Sequence, residues 1–297
     1  MRVAALDLGT NTTRLLVADV ADGRIEELHR ESRITRLGEG VDERKRLLPV
    51  PIARVRNALA DYRRTMEGLG AERSLLVATS AVRDAENGEA FLGEIEWSYG
   101  FATRLVSGDE EAQLTRRGVQ PGVHALVADI GGGSTELILD DFHVSLPIGS
   151  VRFTERYGDD VERCVHEARA LLPELQPRDA LGVAGTVTTL AALDLELDRY
   201  DRDRVDGHVL TRDAAVRQRD RLAALTLDAR KALPAMEPER APVIVAGAAI
   251  LTAILDAYRL DAIVVSERDI LDGIALAAAE LPAPEEGAAP PGAFTCC

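Results

Sequence analysis

The stretch "LVADIGGGSTELIL", residues 126–139, decides how the rest of the chain is read. Two apolar strands flank a turn carrying one aspartate, three glycines, two hydroxyls and one glutamate. A tight hairpin turn needs one or two glycines. Three in succession, followed by Ser134 and Thr135, point to backbone that must come close to a ligand rich in oxygen. The alternative is a plain tight hairpin with a solvated Asp129.

The pattern has a counterpart earlier in the chain, where "LDLGTNTTRLLV" (6–17) parallels "ADIGGGSTELIL" (128–139). Each reads Asp–apolar–Gly, then a hydroxyl-rich turn, then an apolar strand. Around the first copy, "RVAALDLGTNTTRLLVADVADGRIEELHRESR" reads as three strands with turns at "DLGTNT" and "ADGR". A helix is predicted over 50–70, then a buried strand running into a polar loop in "SLLVATSAVRDAEN". Next come a helix in "GEAFLGEIEWSYG", a strand in "FATRLVS" and a helix opening at "GDEEAQLTRRGV". From His124 the three-strand pattern begins again. It is followed by a helix over 159–172, a strand in "ALGVAG", a helix in "TVTTLAALDLEL" and several helices through 212–258. A strand in "DAIVVS" and a final helix in "RDILDGIALAAAEL" complete the pattern.

An internal repeat of this length predicts two similar α/β domains facing each other across a cleft, 1–123 and 124–268. The final helix, 269–281, is expected to return to the first domain. The tail 282–297 has no periodicity and is expected to be disordered.

The 297 residues are 46% hydrophobic and 29% charged, as in a soluble globular protein. No apolar run reaches the roughly 18–20 residues of a membrane span, and the N-terminus enters a strand directly, without the pattern of a signal peptide. Three cysteines, Cys164, Cys296 and Cys297, have no framework spacing, which favours a reducing cytoplasm over a disulfide or zinc fold. The terminal pair is read as the end of a disordered tail rather than a lipidation signal. A net charge of −15 argues against a nucleic-acid-binding surface, but not against a locally positive pocket for a small anion. The five histidines show no metal-ligand spacing.

Two acidic glycine turns at the mouths of two similar domains suggest a phosphate clamp. Turn N–H groups cradle phosphate oxygens. Aspartates repel phosphate, so Asp7 and Asp129 are expected to hold a hard cation, Mg²⁺ or Mn²⁺, that bridges to it.

These motifs resemble the superfamily of actin, sugar kinases and heat-shock chaperone ATPases, and within it the exopolyphosphatase/guanosine pentaphosphate phosphatase (Ppx/GppA) family. The resemblance rests on "DLGTNTTRLLV", "RITRLGEGVD", "ATSAVRDAEN", "SGDEEAQL", "DIGGGSTEL", "LPIGSVRFTE" and "GVAGTVTTLAAL", in family order to about residue 275. It implies two ribonuclease-H-like domains and Mg²⁺-dependent removal of a terminal phosphate from polyphosphate or from guanosine pentaphosphate. It also implies a short form lacking the C-terminal region of longer members; a homodimer is compatible with it.

The resemblance implies that Glu111, second of the pair in "SGDEEAQL", positions the attacking water, with Glu110 as fallback. The other reading is a helix N-terminus enriched in acids, as the macrodipole favours. By the same resemblance Arg14 and Arg83 hold phosphate, and arginine's planar fork suits that task. Thr10 and Asn11 in the first turn, and Gly131, Gly132, Gly133, Ser134 and Thr135 in the second, are the expected phosphate-facing residues. Gly149 and Ser150 in "LPIGSVRF" are placed at the phosphates by the family pattern. Gly185 and Thr186 open a helix after a glycine turn, an anion site or simply close strand–helix packing. Glu136 belongs either to the metal's outer shell or to a plain strand surface. Arg33 and Arg36 line a substrate channel or make surface salt bridges. Near Arg268 the family often has a glycine and a further arginine where this chain has Asp269 and Asp272.

A sugar or acetate kinase of the same superfamily is the first rival, disfavoured by the "SGDEE" glutamate pair. A non-enzymatic sensor of polyphosphate or guanosine polyphosphates is the second.

Overall fold

The computed structural model describes residues 1–282, which leaves most of the expected disordered tail and the Cys296–Cys297 pair outside the described residues. The chain divides into two compact units. One comprises Met1–Gly118 and the segment from Ile270, the other Val119–Asp269.

In the first unit, strands β1 (Arg2–Leu8), β2 (Thr12–Ala21), β3 (Arg24–Ile34), β4 (Arg73–Ala78) and β5 (Ala102–Leu105) form a sheet of order β3-β2-β1-β4-β5. The first three strands are an antiparallel meander, and β4 and β5 run parallel to β1. Alternate residues of β1 point to opposite faces, and both faces are covered, so the strand is apolar almost throughout. Ala4, Leu6 and Leu8 share a core with Val55, Leu59 and Tyr62 of the helix Pro49–Gly68 and with Phe91 and Ile95 of the helix Gly88–Tyr99. Val3 and Ala5 share a core on the other face with Leu271, Ile274 and Ala275 of the C-terminal helix Ile270–Glu280.

Asp272, one of the two departures from the family pattern, is buried in this contact. It accepts a 2.9 Å hydrogen bond from Arg30 Nη2 of β3, so the acid at this position is matched by a base on the sheet.

In the second unit, strands β6 (Ala125–Ile130), β7 (Thr135–Leu139), β8 (Phe142–Leu146), β9 (Asp179–Val183), β10 (Val209–Thr211) and β11 (Ala262–Val265) form a sheet of order β10-β11-β9-β6-β7-β8. Setting aside the short antiparallel edge strand β10, each sheet places its third, second, first, fourth and fifth strands side by side. This is the ribonuclease-H-like order, and the α/β class with two mixed sheets expected from the repeat is the observed one. The helix Ile244–Ala257 is buried on nearly every side, which is why its sequence is apolar all round.

Several local expectations are corrected. The segment after β4 is the short helix Ser80–Arg83 rather than a loop, and Arg83 is its last residue. A further short helix, Val41–Arg44, lies between β3 and the helix Pro49–Gly68. The single helix expected over 159–172 is preceded by a separate helix, Ser150–Tyr157, and itself runs Val161–Leu171. Among the described residues no helix is long and apolar enough to cross a membrane.

Candidate active site

The two acidic turns match position by position. Gly9 N–H donates to the carbonyl of Thr12 at 3.0 Å, and Gly131 N–H donates to that of Ser134 at 3.0 Å. Each turn then presents its carbonyls backward, into the chain that follows the third strand of its meander. Asn11 O accepts from Thr35 N and Arg36 N, and Thr10 O accepts from Gly38 N. Gly131 O accepts from Ser150 N, and Gly132 O from Val151 N and Arg152 N, at 2.8–3.1 Å. Arg152 Nε closes the set on Gly133 O at 2.7 Å. The opening residues of the helix Ser150–Tyr157 thus find their acceptors in the glycine turn.

With the carbonyls engaged behind, the N–H groups of Thr10, Asn11, Gly132, Gly133 and Ser134 have no acceptor among the described residues. Successive unpaired N–H groups of this kind form a concavity of positive potential. Asn11 Oδ1 is buried without a hydrogen-bond partner, an acceptor of the kind normally satisfied by a ligand or water.

Gly149 permits this arrangement. A Cβ at that position would lie 2.3 Å from Gly132 O and 2.5 Å from the carbonyl carbons of Gly132 and Gly133. The room left by the glycines is therefore used first by the protein's own backbone, which backs the turn. Thr135, fully buried, donates to Ile148 O at 2.7 Å and pins the same junction from within rather than facing outward.

In the first unit, three segments leave the carboxyl ends of the adjacent parallel strands β1, β4 and β5, the edge where ligands bind in open α/β sheets. They are the Gly9–Asn11 turn, the helix Ser80–Arg83 and the helix Gly108–Val119. Thr10 Oγ1 and Ser80 Oγ are 2.7 Å apart and join the first two. Arg83 joins the second and third, donating from Nη1 to Val106 O at 2.9 Å and to Glu111 Oε2 at 3.2 Å.

The two glutamates of "GDEE" separate here. Glu110 forms a capping box with Ser107. Its Oε2 accepts from Ser107 N at 2.8 Å, while Ser107 Oγ accepts from Glu110 N at 3.2 Å. These bonds hold the Glu110 carboxyl below its ordinary range. Glu111, one position on, is buried and turned to Arg83.

Asp7 is buried, and both Nε and Nη2 of Arg14 reach its Oδ2, at 2.8 and 2.7 Å. Asp129 is also buried, and its register partner on β7 is Glu136. Glu136 is 1% exposed, so the strand-surface reading of it does not hold. Its Oε1 accepts from Ser145 Oγ at 2.7 Å.

Gly185 and Thr186 begin the helix Ala184–Asp194, which follows β9. A Cβ on Gly185 would meet Arg240 Nη1 at 1.8 Å, so the guanidinium of Arg240 lies directly on the turn. Arg240 carries no sequence signal of this role, because nothing local to "EPERAP" indicates a contact with a turn so far back in the chain. Arg268 is exposed beside β11, its backbone N donating to Ser266 Oγ. Arg33 is held in salt bridges with Glu31 and Asp61.

The model of the Ppx/GppA phosphatase family matches residues 16–280. The chain belongs to the Ppx/GppA phosphatase family. Exopolyphosphatase 2 of Mycobacterium tuberculosis is 40% identical, over 94% of this chain and 98% of that protein. The guanosine-5'-triphosphate,3'-diphosphate pyrophosphatase of Vibrio vulnificus is 29% identical, over 92% of this chain and 58% of its own length. Among solved structures, an exopolyphosphatase-like protein superposes with a TM-score of 0.86 at 32% identity, covering 93% of this chain and 98% of that one. The Ppx/GppA family member from Aquifex aeolicus superposes with a TM-score of 0.78 at 30% identity, covering 93% and 97%.

Proposed function

We propose that this chain is a phosphoanhydride hydrolase that releases terminal phosphate from inorganic polyphosphate. The observation that carries the reading is the pair of turns whose carbonyls are taken up behind and whose N–H groups are left in front. Such a turn recognises oxyanions without a side-chain charge. Family membership and the similarity to an exopolyphosphatase over almost the whole chain support the same substrate.

Glu111 is the group for the nucleophile. It takes a proton from a water whose oxygen attacks the terminal phosphorus, and the bridging P–O bond breaks to leave a polyphosphate shorter by one unit. Arg83 holds the Glu111 carboxylate in place, and the same guanidinium is suited to a phosphate oxygen. Glu110 is occupied as a helix cap and is not the base.

Asp129 and Glu136 fit a hard divalent cation, Mg²⁺ or Mn²⁺. They are two buried carboxylates on facing register positions, and oxygen ligands of this kind suit such ions. Among the described residues no group of three or more His, Cys, Asp or Glu side chains could hold a metal. Mg²⁺ is commonly bound through one or two carboxylates plus substrate phosphates and water. When bound, the cation supplies charge neutralisation at phosphate oxygens. The similarity to the Vibrio pyrophosphatase makes guanosine pentaphosphate the second substrate to test.

Glu111→Gln tests the assignment. The amide keeps the shape but accepts no proton, so phosphate release should fall by about 10²-fold or more, with polyphosphate binding retained. Glu110→Gln should keep most of the turnover. Turnover of Glu111→Gln within a few-fold of wild type would remove Glu111 as the base.

A further inference from the structure

The segment between β3 and the helix Pro49–Gly68 lies against the first acidic turn. Gly38 N donates to Thr10 O at 2.8 Å, and a Cβ on Gly38 would stand 2.2 Å from Thr10 Cγ2. From there the chain forms the short helix Val41–Arg44 and comes back to a site-bearing segment at Lys45, whose carbonyl accepts from Glu86 N at 2.8 Å. Glu86 is three residues beyond Arg83, so at most about 11 Å of chain separates the two. Asn87 then clamps Leu47 from both sides, accepting from Leu47 N at 2.8 Å and donating to Leu47 O at 3.1 Å.

Between these anchors stand Arg44, Lys45 and Arg46, all exposed. None of the three has a carboxylate partner among the described residues, and the exposed acids beside them, Glu43 and Glu86, form no ion pair with them. Elsewhere in this unit Arg2, Arg30, Arg33, Arg54 and Arg56 are each paired with an Asp or Glu. In a chain of net charge −15, three adjacent uncompensated cations reverse the local sign of the surface. Lys45 also has a left-handed backbone, φ 52°, at a place where a helix most often ends on glycine. Glycine would serve that turn more easily but would carry no charge.

We infer that Arg44, Lys45 and Arg46 form a second phosphate subsite, which holds the polyphosphate chain beyond the terminal unit bound at the turn. This deepens the polyphosphate reading above and rests on it. A repeating polyanion already held at one end presents its later phosphates to the tract at high effective concentration. The guanidinium fork and the ammonium point charge both suit phosphate oxygens. The tract touches no reacting atom, so it adds the same affinity in the ground state and in the transition state. It therefore acts on KM rather than kcat. A substrate too short to reach from the turn to the tract gains nothing from it.

The test is steady-state phosphate release by the full chain from tripolyphosphate and from long-chain polyphosphate. The combined variant Arg44→Gln, Lys45→Gln and Arg46→Gln should raise KM for the long chain by about tenfold or more, with kcat within about twofold and KM for tripolyphosphate within about threefold of wild type. The combined variant Arg44→Lys, Lys45→Arg and Arg46→Lys keeps the charge and should hold the long-chain KM near wild type. Arg24→Gln removes an exposed charge at the strand ends remote from the acidic turn and should change neither substrate's KM. In wild type itself, added NaCl should raise KM more steeply for the long chain than for tripolyphosphate, because screening weakens the additional contacts. Equal salt dependence for the two substrates would overturn the inference and leave the polyphosphate reading standing. So would a glutamine variant that is unchanged on the long chain, or equally impaired on both. Release from neither substrate by wild type would overturn that reading, and this inference with it.

Discussion

Gly149→Ala should damage catalysis through the backbone alone. The new Cβ would stand 2.3 Å from Gly132 O, with two carbonyl carbons at 2.5 Å. Carbon and oxygen without a bond between them prefer about 3.5 Å, so the turn or the helix behind it must retreat by about 1 Å. The bonds from Ser150, Val151 and Arg152 to the turn span 2.8–3.1 Å, and none survives such a shift unchanged. Overpacking of this kind costs about 1–3 kcal/mol, and each kcal/mol lowers the melting temperature of a domain this size by about 2–4 °C. Misplacing a binding group by about 1 Å costs on the order of 10²-fold in rate. The assay is phosphate release from polyphosphate together with a thermal melt. Gly93→Ala is the control, because it lies inside the helix Gly88–Tyr99 with nothing within 4 Å of its added Cβ. That change should be neutral, or stabilising by about 0.5–1 kcal/mol. If Gly149→Ala melts lower yet keeps its rate within threefold, the backing of the turn does not shape the phosphate site.

Three further outcomes follow from the geometry. Ser107→Ala removes half of the capping box and should cost about 1 kcal/mol in urea denaturation; an unchanged midpoint would show that the Ser107 hydroxyl does not cap the helix. Arg30→Ala should cost about 2 kcal/mol, since it takes the guanidinium away from the buried Asp272 carboxylate, and Asp272→Ala should cost less, since Arg30 keeps its bond to Glu27. Their double mutant should lose clearly less than the sum, and strict additivity would deny the pair. Burial pushes the Glu267 carboxyl above its ordinary range, against the downward pull of Tyr200 and Arg202. The folded chain therefore holds that proton more tightly than the unfolded chain. The stability it contributes is full at low pH and is lost as pH rises from the ordinary carboxylate range through the raised value. The difference between wild type and Glu267→Gln should shrink or reverse along that rise, and a difference that grows with pH would contradict the sign.

What the sequence revealed was mostly local. Alternating strands, glycine turns and the recurrence of Asp–apolar–Gly were enough to place both meanders, because a meander is built from neighbours. The extra strand β10 escaped notice because it is three residues long and pairs with β11, distant in sequence. The helix Ser150–Tyr157 escaped because its first acceptors are carbonyls of the glycine turn rather than a side-chain cap of its own. Glu110 and Glu111 are adjacent letters. Only the capping box shows which of them is used up at the helix end. Likewise Asp7 and Asp129 look alike in the motif, and the cross-strand neighbour on the second strand tells them apart. Arg240 illustrates the limit: its contact with Gly185 joins segments that no periodicity relates.

Hydrolysis of the terminal phosphoanhydride of polyphosphate is the reaction to be measured. The direct measurement is phosphate release from inorganic polyphosphate, guanosine pentaphosphate and ATP, side by side, with Mg²⁺ and with the ion removed by chelation, for wild type and Glu111→Gln. Mg²⁺-dependent release from polyphosphate, little release from ATP, and loss of the polyphosphate activity in Glu111→Gln are the expected results. Release from none of the three, or release from polyphosphate that persists undiminished in Glu111→Gln, would contradict them.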